Sequence, residues 1–393
     1  DSLLARVDIL FAVIFLMGKG KVGTLLLTLI LLLSPFQNGL LQTPSVSDPG
    51  KSSTHALVPR EIPMQANRTD GYLQHSASVN VYASYTKEPA PMGIADYGIG
   101  PSGAYQYSTN SYLGVAYVGS LRTLNSTGSQ SMSIQLNVNL QFTSDNKQYV
   151  YWIQNIAYID SNVSSIVFLD NVWNLSAPAA NIGASSISGN GAVAKSGSQY
   201  YYYDVASSTL PGNAVHLTHP TLFDLQVNAT VNAAKQPQVK FSYNNGFGWV
   251  TYDTVTFTSV NRLTALPGFV VNGFNYNPAG LFYDAELVLG GPGSGSYTTN
   301  VQSDVRLQLE YWNGHNYQMV TTAYNFGSNT AEGIENTLSQ AYYYLDNGAL
   351  FSQITPGPGT LKLLYDTSDI SIVNIRSPIA AGILHVRNGL NAR

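Results

Sequence analysis

The chain contains no cysteine, so disulfide bonds, thiolate metal sites and a cysteine nucleophile are all excluded. Charged residues are scarce as well, because they make up only 10% of the 393 residues, against about 25% in ordinary soluble domains. The formal net charge of −4 leaves no basic surface for nucleic acid or for an anionic membrane. A folded chain of this composition must rely on apolar packing and on hydrogen bonds between neutral polar groups.

Few charges also mean few groups whose titration would unfold the protein in acid. The chain has 22 carboxylates, 18 lysines and arginines and 6 histidines. Acid unfolding comes mainly from the loss of native carboxylate pairs and from repulsion between positive charges, so a chain with few of either should tolerate acid. The composition therefore fits an acidic medium, and it fits a secreted β protein of a neutral medium equally well.

Two common catalytic patterns are missing. No Gly-X-Ser-X-Gly turn is present, so a serine nucleophile is not predicted. His216 and His219 are three residues apart, but no glutamate follows His216 as it does on a zinc-protease helix. We interpret both histidines as loop residues, and we predict no metal or organic cofactor.

The N-terminal segment has the order of a secretory signal. Met17-Gly18-Lys19-Gly20-Lys21 precedes an apolar run over 22–33 and then Ser34-Pro35. We predict a signal peptide or anchor in residues 1–39, with Met17 as an alternative start, and a propeptide or linker in the Pro- and Ser-rich residues 40–75. The protein is expected to be extracellular, or associated with the cell surface if the segment is retained. Five Asn-X-Ser/Thr sequons are candidate glycosylation sites: Asn67, Asn125, Asn162, Asn174 and Asn228.

Beyond the linker, short β-rich runs alternate with turns of Gly, Asn, Ser and Pro. Strict period-two alternation over 131–142 predicts a strand. Similar runs are found at 149–159, 165–169, 199–205, 225–231, 238–243, 249–259, 269–274, 281–289, 305–312 and 361–365. Only 330–345 has a pattern that a helix would fit. We predict an all-β, β-sandwich-like protein with two β-rich parts, 76–265 and 266–393, divided near Leu266-Pro267-Gly268.

The strand predicted for 281–289 carries two carboxylates, Asp284 and Glu286, in an otherwise apolar sequence. Strand side chains alternate, so both would point the same way, with alpha carbons about 6 to 7 Å apart. Carboxylates this close would not both ionise at their ordinary pKa values, and a raised or shared proton is what acid catalysis needs. The glycine-rich loop at 290–295 would act as a hinge or flap over a cleft. Alternatively, the polar side chains simply face water.

Amide and aromatic side chains supply further candidates. Alternation places Trp152 and Gln154 on one face of their strand, so an aromatic wall and an amide would line the same groove. An acid peptidase needs one group to take a proton from water and one to stabilise the tetrahedral intermediate, and a carboxyl pair or a glutamate with a glutamine can do both. The candidate catalytic residues are Glu286, Asp284, Asp170 and Gln154, and the candidate substrate-binding residues are Trp152, Trp173 and Tyr283. Asp170 could equally be a turn carboxylate that binds its own backbone.

Seven segments resemble the thermopsin family. They are PAPMGIA at 89–95, YWIQ at 151–154, FLDNVWNL at 168–175, SGNG at 188–191, YYDV at 202–205, NPAGLFYDAELV at 277–288 and FGSNTAE at 326–332. The resemblance implies an archaeal, secreted acid endopeptidase that works in hot acid and is made as a precursor with a signal and a propeptide. It implies no catalytic pair, because the family lacks the Asp-Thr-Gly motifs of pepsins. Asp96 and Asn329 depart from the family pattern, which makes both positions poor catalytic candidates.

The leading hypothesis is an extracellular acid endopeptidase that cleaves polypeptides, in which Glu286 activates water with Asp284, Asp170 or Gln154 as its partner. A glutamine and glutamate pair also resembles, more distantly, the glutamic peptidases. The main alternative is a noncatalytic adhesin or carbohydrate-binding β-sandwich, and glycoside hydrolysis ranks third. The hypotheses differ in whether Glu286 meets a second polar group in one cleft. No nucleic-acid partner and no stable membrane partner are predicted beyond the N-terminal segment, and no feature indicates an oligomeric state.

Overall fold

Strands account for almost all regular structure in the computed structural model. The structure describes residues 67–69, 72–74, 91–100, 103–125, 131–161, 164–177, 180–196, 200–205, 214–260, 262–272, 285–293, 296–320, 324–326, 333–344, 349–357 and 370–372. Within these ranges the chain forms strands and a 3₁₀ turn at Ala184–Ser186, and no α-helix. No helix there is long and apolar enough to cross a membrane. The predicted all-β fold class is confirmed.

The strands are numbered in chain order. The first thirteen are β1 (Asn67–Thr69), β2 (Tyr72–Gln74), β3 (Met92–Asp96), β4 (Ile99–Gly100), β5 (Gly103–Thr109), β6 (Ser111–Asn125), β7 (Ser131–Ser144), β8 (Lys147–Asp160), β9 (Ser165–Asn174), β10 (Ile187–Ser188), β11 (Ala192–Ser196), β12 (Tyr200–Asp204) and β13 (Ala214–His216). The others are β14 (Thr221–Val231), β15 (Pro237–Asn244), β16 (Trp249–Phe257), β17 (Leu263–Asn272), β18 (Ala285–Gly290), β19 (Thr298–Trp312), β20 (Tyr317–Met319), β21 (Tyr324–Phe326), β22 (Ile334–Glu335), β23 (Thr337–Tyr344), β24 (Ala349–Pro356) and β25 (Ile370–Ile372).

These strands form two sheets. The first sheet has the order β1-β2-β5-β17-β7-β8-β9-β12-β11, and β18 pairs with β7 on one side and with β3 on the other. The second sheet has the order β10-β16-β15-β14-β6-β19-β24-β23-β25. Nearly all neighbouring strands are antiparallel, which suits a sandwich in which each sheet has one face against the other.

Alternation along the strands places apolar side chains between the sheets. On β7, Met132, Leu136 and Leu140 are fully buried and belong to one continuous core cluster. Aromatic rings join the two layers: Phe168 of β9 stacks on Tyr243 of β15 with centroids 3.8 Å apart. A core residue of this kind stabilises the fold by about 1.5–3 kcal/mol when it is removed from water.

The opposite face of the first sheet carries polar side chains at the alternate positions of β7, and these side chains are buried too. Ser133, Gln135, Asn137 and Asn139 are each at most 3% exposed. Buried polar groups are costly unless they are hydrogen bonded, so this face must hold a connected polar network. The candidate site lies on this face.

Two features of the fold differ from the sequence-based expectation. Residues 330–345 contain β22 and β23 where the sequence pattern would also fit a helix, and Asn336, with a positive φ of 53°, separates the two strands. The helical assignment is wrong because the segment is held by pairing with β24 and β19. The long strand β6 was not predicted, since both of its faces are largely buried and its sequence therefore lacks alternation.

The two predicted parts, 76–265 and 266–393, contribute strands to both sheets and share the core cluster. Strand β17 runs through the predicted dividing point with register shifts between Leu263 and Gly268. The segments 1–39 and 361–365, predicted as a signal or anchor and as a strand, lie outside the described residues, and of 40–75 the structure describes β1 and β2.

Candidate functional site

The site begins with a row of polar residues across four neighbouring strands of the first sheet. Glu286 on β18 stands opposite Asn137 on β7, and Asn137 stands opposite Gln154 on β8. Gln154 in turn faces Asn171 on β9. Residues directly opposite each other in a sheet share a face, so the four side chains project to the same side. The alternative that the polar face of β18 simply meets water is wrong for Glu286, which is 0% exposed.

Hydrogen bonds connect this row. Asn137 Nδ2 donates to Glu286 Oε1 at 2.8 Å and lies 3.3 Å from Gln135 Oε1. Gln154 Nε2 donates to the same Gln135 Oε1 at 3.0 Å. Gln135 Nε2 donates to Ser133 Oγ at 2.8 Å. Glu286 and Gln154 are thus joined through two intervening amides, and a charge placed on Glu286 would have a donor already in position.

An aromatic wall adjoins Gln154. Trp173 Nε1 donates to Gln154 Oε1 at 3.1 Å, which fixes the orientation of the glutamine amide. Trp152 lies directly across from Trp173 in the β8–β9 pair, and the Trp173 ring stacks on Tyr202 with centroids 4.6 Å apart. The expectation that Trp152 and Gln154 share a strand face is confirmed, and Trp173 lies on that face as well.

The polar row ends at a further carboxyl group on β12. Asp204 stands opposite Asn171, and burial raises the pKa of its carboxyl from 3.8 to about 7. Oriented so that its amide nitrogen faces acceptors, Asn171 donates to Asp204 Oδ1 at 3.2 Å. At acidic pH Asp204 is therefore protonated, and it adds no negative charge to this end of the row.

Asp170, by contrast, is on the other face of β9, between the two sheets. It stands opposite Asn155 and is 0% exposed. Its neighbour across the interface is Asp253 on β16. A bulge in the β15–β16 pair adds Tyr252 between the paired residues Thr251 and Asp253, so Tyr252 and Asp253 are both buried. The structure does not bring Asp170 together with Glu286 or Gln154.

The carboxyl group of Asp170 faces that of Asp253 across the interface between the sheets. Burial, first, and the charges of Asp253 and Asp204, second, raise the pKa of Asp170 well above its ordinary value. The backbone amide of Val205 opposes this shift. Asp253 accepts from the Tyr203 hydroxyl at 2.6 Å and from the Asn190 amide at 2.8 Å. A protonated Asp170 can donate a hydrogen bond to Asp253, which connects the two sheets while Asp170 itself stays uncharged.

Asp96 is a third buried carboxyl group, on β3. Burial raises its pKa to about 6. Three hydrogen bonds oppose this shift because they favour the charged form, and they come from the Tyr105 hydroxyl at 2.5 Å, the Gly98 amide at 2.9 Å and the Tyr107 hydroxyl at 2.9 Å. Ala285 faces Asp96 across the β3–β18 pair, so Asp96 is one position out of phase with Glu286 and projects to the opposite face.

Two candidates, Tyr283 and Asp284, lie outside the described residues, as does Asn329. The glycine-rich loop is described at its two ends. Gly291 O accepts a hydrogen bond from Ser133 Oγ at 3.0 Å, which ties the loop to the site strand β7. Gly293 has a φ of 84° and its carbonyl accepts from the Ser296 amide at 3.0 Å, a tight turn that suits glycine.

Sequence reasoning missed the residues that link the candidates. Gln135 and Asn137 are amides at alternate positions of the strand predicted for 131–142, and that alternation is the signal that points to them. Asn171 lies beyond the strand predicted for 165–169, because β9 continues to Asn174. Which amides meet Glu286 depends on strand pairing between residues far apart in the chain. Among the described residues, no group of three or more metal-binding side chains is found.

The arrangement provides a buried carboxyl group, neutral amide donors on the same face and an aromatic wall. A carboxylate can take a proton from water, and an amide N–H can hold a developing oxyanion. Because an amide keeps its donor at any pH, this set would work in acid.

Comparison with known proteins gives both a family and distant structural likenesses. The family described as thermopsin matches residues 77–337. Thermopsin of Sulfolobus acidocaldarius (strain ATCC 33909 / DSM 639 / JCM 8929 / NBRC 15157 / NCIMB 11770) is 33% identical over 293 residues, which cover 72% of this chain and 84% of that protein.

Two structures of scytalido-glutamic peptidase, with a transition state analog inhibitor and with a peptide based transition state analog, give TM-scores of 0.33 and 0.29 at 10% and 9% identity. The first match covers 68% of this chain and 98% of the peptidase chain, and the second covers 69% of this chain and 100% of the peptidase chain. A likeness this distant assigns no role to any residue here. The family match, however, spans every strand that carries the polar row, and the chain belongs to the thermopsin family.

Proposed function

We propose that the protein is an acid endopeptidase in which Glu286 activates the attacking water and Gln154 stabilises the tetrahedral intermediate. Family membership makes the protein a peptidase, and the proposal adds the catalytic pair and the acidic working range. One observation carries it: Glu286 and Gln154 occupy one row on the same sheet face, with Asn137 between them and hydrogen bonds along the row.

Strand spacing allows the two side chains to act on one peptide bond. Two inter-strand steps separate β18 from β8, so the alpha carbons of Glu286 and Gln154 are about 9–10 Å apart. Both side chains are long and project to the same face, so the peptide group and the attacking water would lie between their ends, above Asn137. The aromatic wall of Trp152, Trp173 and Tyr202 adjoins Gln154 and would receive a large apolar side chain beside the cleaved bond.

In the proposed reaction, the Glu286 carboxylate takes one proton from water as the water oxygen bonds to the carbonyl carbon. The carbonyl electron pair moves onto its oxygen, and the Gln154 amide donates to that oxyanion. Glu286 then returns the proton to the peptide nitrogen as the carbon–nitrogen bond breaks. Gln154 Nε2 has two hydrogens, of which one is directed at Gln135 Oε1, and the other serves the oxyanion.

The neutral donors explain how such a site would work in acid. Glutamine and asparagine amides do not titrate, so the oxyanion partner is present at every pH. Glu286 activates water in its charged form, which its complete burial disfavours and the Asn137 hydrogen bond favours. Asp204, at the far end of the row, is protonated below about pH 7 and does not oppose that charge.

The substrate is proposed to be an unfolded polypeptide outside the cell. Glu286 and Gln154 are 0% and 2% exposed, so a peptide reaches them only when the site opens, and an extended chain needs the smallest opening. Secretion is supported by the signal-like order of residues 17–35. The low charge content is compatible with work in acid, where carboxylate pairs are lost.

The test measures cleavage of an unfolded protein from pH 1.5 to 7 at several temperatures by the wild type and by Glu286→Gln. Exposed Glu335→Gln is the matched control, because it makes the same change away from the polar row. We expect wild type and control to share one pH profile, with cleavage confined to acid. We expect the cleavage rate of Glu286→Gln to be at least about 100-fold lower. Full activity in folded Glu286→Gln would refute the catalytic pair, and cleavage confined to neutral pH would refute the acid range.

A further inference from the structure

Asn137 has the central position in the site. It stands between Glu286 and Gln154 in the register of β18, β7 and β8. Its Nδ2 atom contacts two acceptors, Glu286 Oε1 at 2.8 Å and Gln135 Oε1 at 3.3 Å. Since both contacts are with acceptors, the nitrogen and oxygen of this amide can be placed in only one orientation. The Asn137 oxygen therefore points away from Glu286 Oε1 and Gln135 Oε1.

Asn137 is 1% exposed, and its Oδ1 atom is buried without a hydrogen-bond partner in the described part of the chain. Leaving a buried carbonyl oxygen unpaired is costly, so a native structure retains one where something else donates to it. The oxygen lies within about 5 Å of Glu286 Oε1, because amide geometry places Oδ1 about 2.2 Å from the Nδ2 atom that binds Oε1.

We propose that Asn137 positions the attacking water: its Nδ2 holds Glu286, and its Oδ1 accepts the water's second hydrogen. This inference rests on the proposed function. A water has two O–H groups, and only one gives its proton to Glu286. The other must be held for the water lone pair to point at the substrate carbonyl. Oε1 and Oδ1 can be at most about 5 Å apart, a span that one water bridges with two ordinary hydrogen bonds.

The same amide thus has two functions that substitutions can separate. Asn137→Ala removes both the donor to Glu286 and the acceptor for water. Asn137→Asp keeps an oxygen near the water but loses the donor and places a second carboxyl group beside Glu286, which disfavours the Glu286 charge. A purely structural asparagine would lower folded yield or thermal stability without changing the pH dependence of the remaining activity.

The experiment measures kcat and KM from pH 1.5 to 7 for folded Asn137→Ala and Asn137→Asp. We expect Asn137→Ala to lower kcat about 100-fold with little change in KM, because the interaction forms in the transition state. We expect the acidic limb of kcat/KM for Asn137→Asp to move to higher pH by about one unit. Melting temperatures are measured alongside, so that kinetics are compared only for folded protein.

Asn300→Ala is the matched control. Asn300 is also fully buried, its Nδ2 donates to a single side chain, Ser303 Oγ at 2.8 Å, and its Oδ1 is also unpaired, but it lies on β19 of the second sheet. The Asn300→Ala substitution should destabilise the protein and leave kcat and the pH profile unchanged. Wild-type kcat and pH profile in both Asn137 variants, while Glu286→Gln is inactive, would overturn the inference alone. Activity retained in Glu286→Gln would overturn the proposed function together with it.

Discussion

The free energy of unfolding should fall as pH rises from 4 to 7, and Asp96 should cause a measurable part of that fall. The Asp96 carboxyl is 1% exposed, and burial raises its pKa from 3.8 to about 6 although three hydrogen bonds oppose the shift. In the unfolded chain the same group ionises near pH 4. Between these values the unfolded chain gains the free energy of ionisation and the folded chain does not.

The sign and size follow from proton linkage. A folded pKa above the unfolded one means that the folded state binds the proton more tightly, so stability is complete below pH 4 and is lost as pH rises through 6. A difference of about two pKa units at 1.36 kcal/mol per unit corresponds to about 3 kcal/mol. Asp204 and Asp170, whose pKa values are also raised, add to the fall in the same direction.

The assay is denaturant unfolding of wild type and Asp96→Asn at pH 3, 4, 5, 6 and 7. Asparagine has the shape of the protonated carboxyl group and does not titrate, so we expect Asp96→Asn to be within about 1 kcal/mol of wild type at pH 3. Between pH 4 and 7 we expect it to lose about 3 kcal/mol less than wild type. Exposed Asp145→Asn is the control and should follow wild type. Parallel curves for wild type and Asp96→Asn would refute the reasoning.

Three further outcomes are expected. Asp170→Asn gives Asp253 a permanent amide donor, so the drop in melting temperature between pH 4 and 7 should shrink; an unchanged drop would contradict the raised pKa of Asp170. Trp173→Phe removes the donor to Gln154 but keeps an aromatic ring, so kcat should fall about tenfold in steady-state kinetics. Phe247 is 95% exposed at the tip of the β15–β16 hairpin, so Phe247→Ser should change the unfolding free energy by less than about 0.5 kcal/mol in denaturant titrations.

Local pattern was enough to predict the strands that carry the site. The alternation at 131–142 and 149–159 predicted β7 and β8, and parity within one strand placed Trp152 and Gln154 together. The same parity separates Asp170 from Trp173, since residues an odd number apart face opposite ways on a regular strand. Strand parity alone therefore excludes Asp170 from the groove that Trp173 lines.

The pairing of strands could not be predicted in the same way. Glu286 meets Asn137 across 149 residues of chain, and no local property of either strand specifies that register. The burial of the polar face was also unexpected, because alternating polar residues ordinarily indicate a face toward water. Strand β6 escaped prediction for the opposite reason, since burial on both faces removes the alternation.

The central claim is that Glu286, and not the interior carboxyl group Asp170, activates water for peptide cleavage. The most direct test compares kcat/KM for one peptide substrate at the pH of maximal activity in folded Glu286→Gln and folded Asp170→Asn. We predict a loss of at least about 100-fold in Glu286→Gln and activity within a few-fold of wild type in Asp170→Asn. The reverse result, with Asp170→Asn inactive and Glu286→Gln active, would contradict the account.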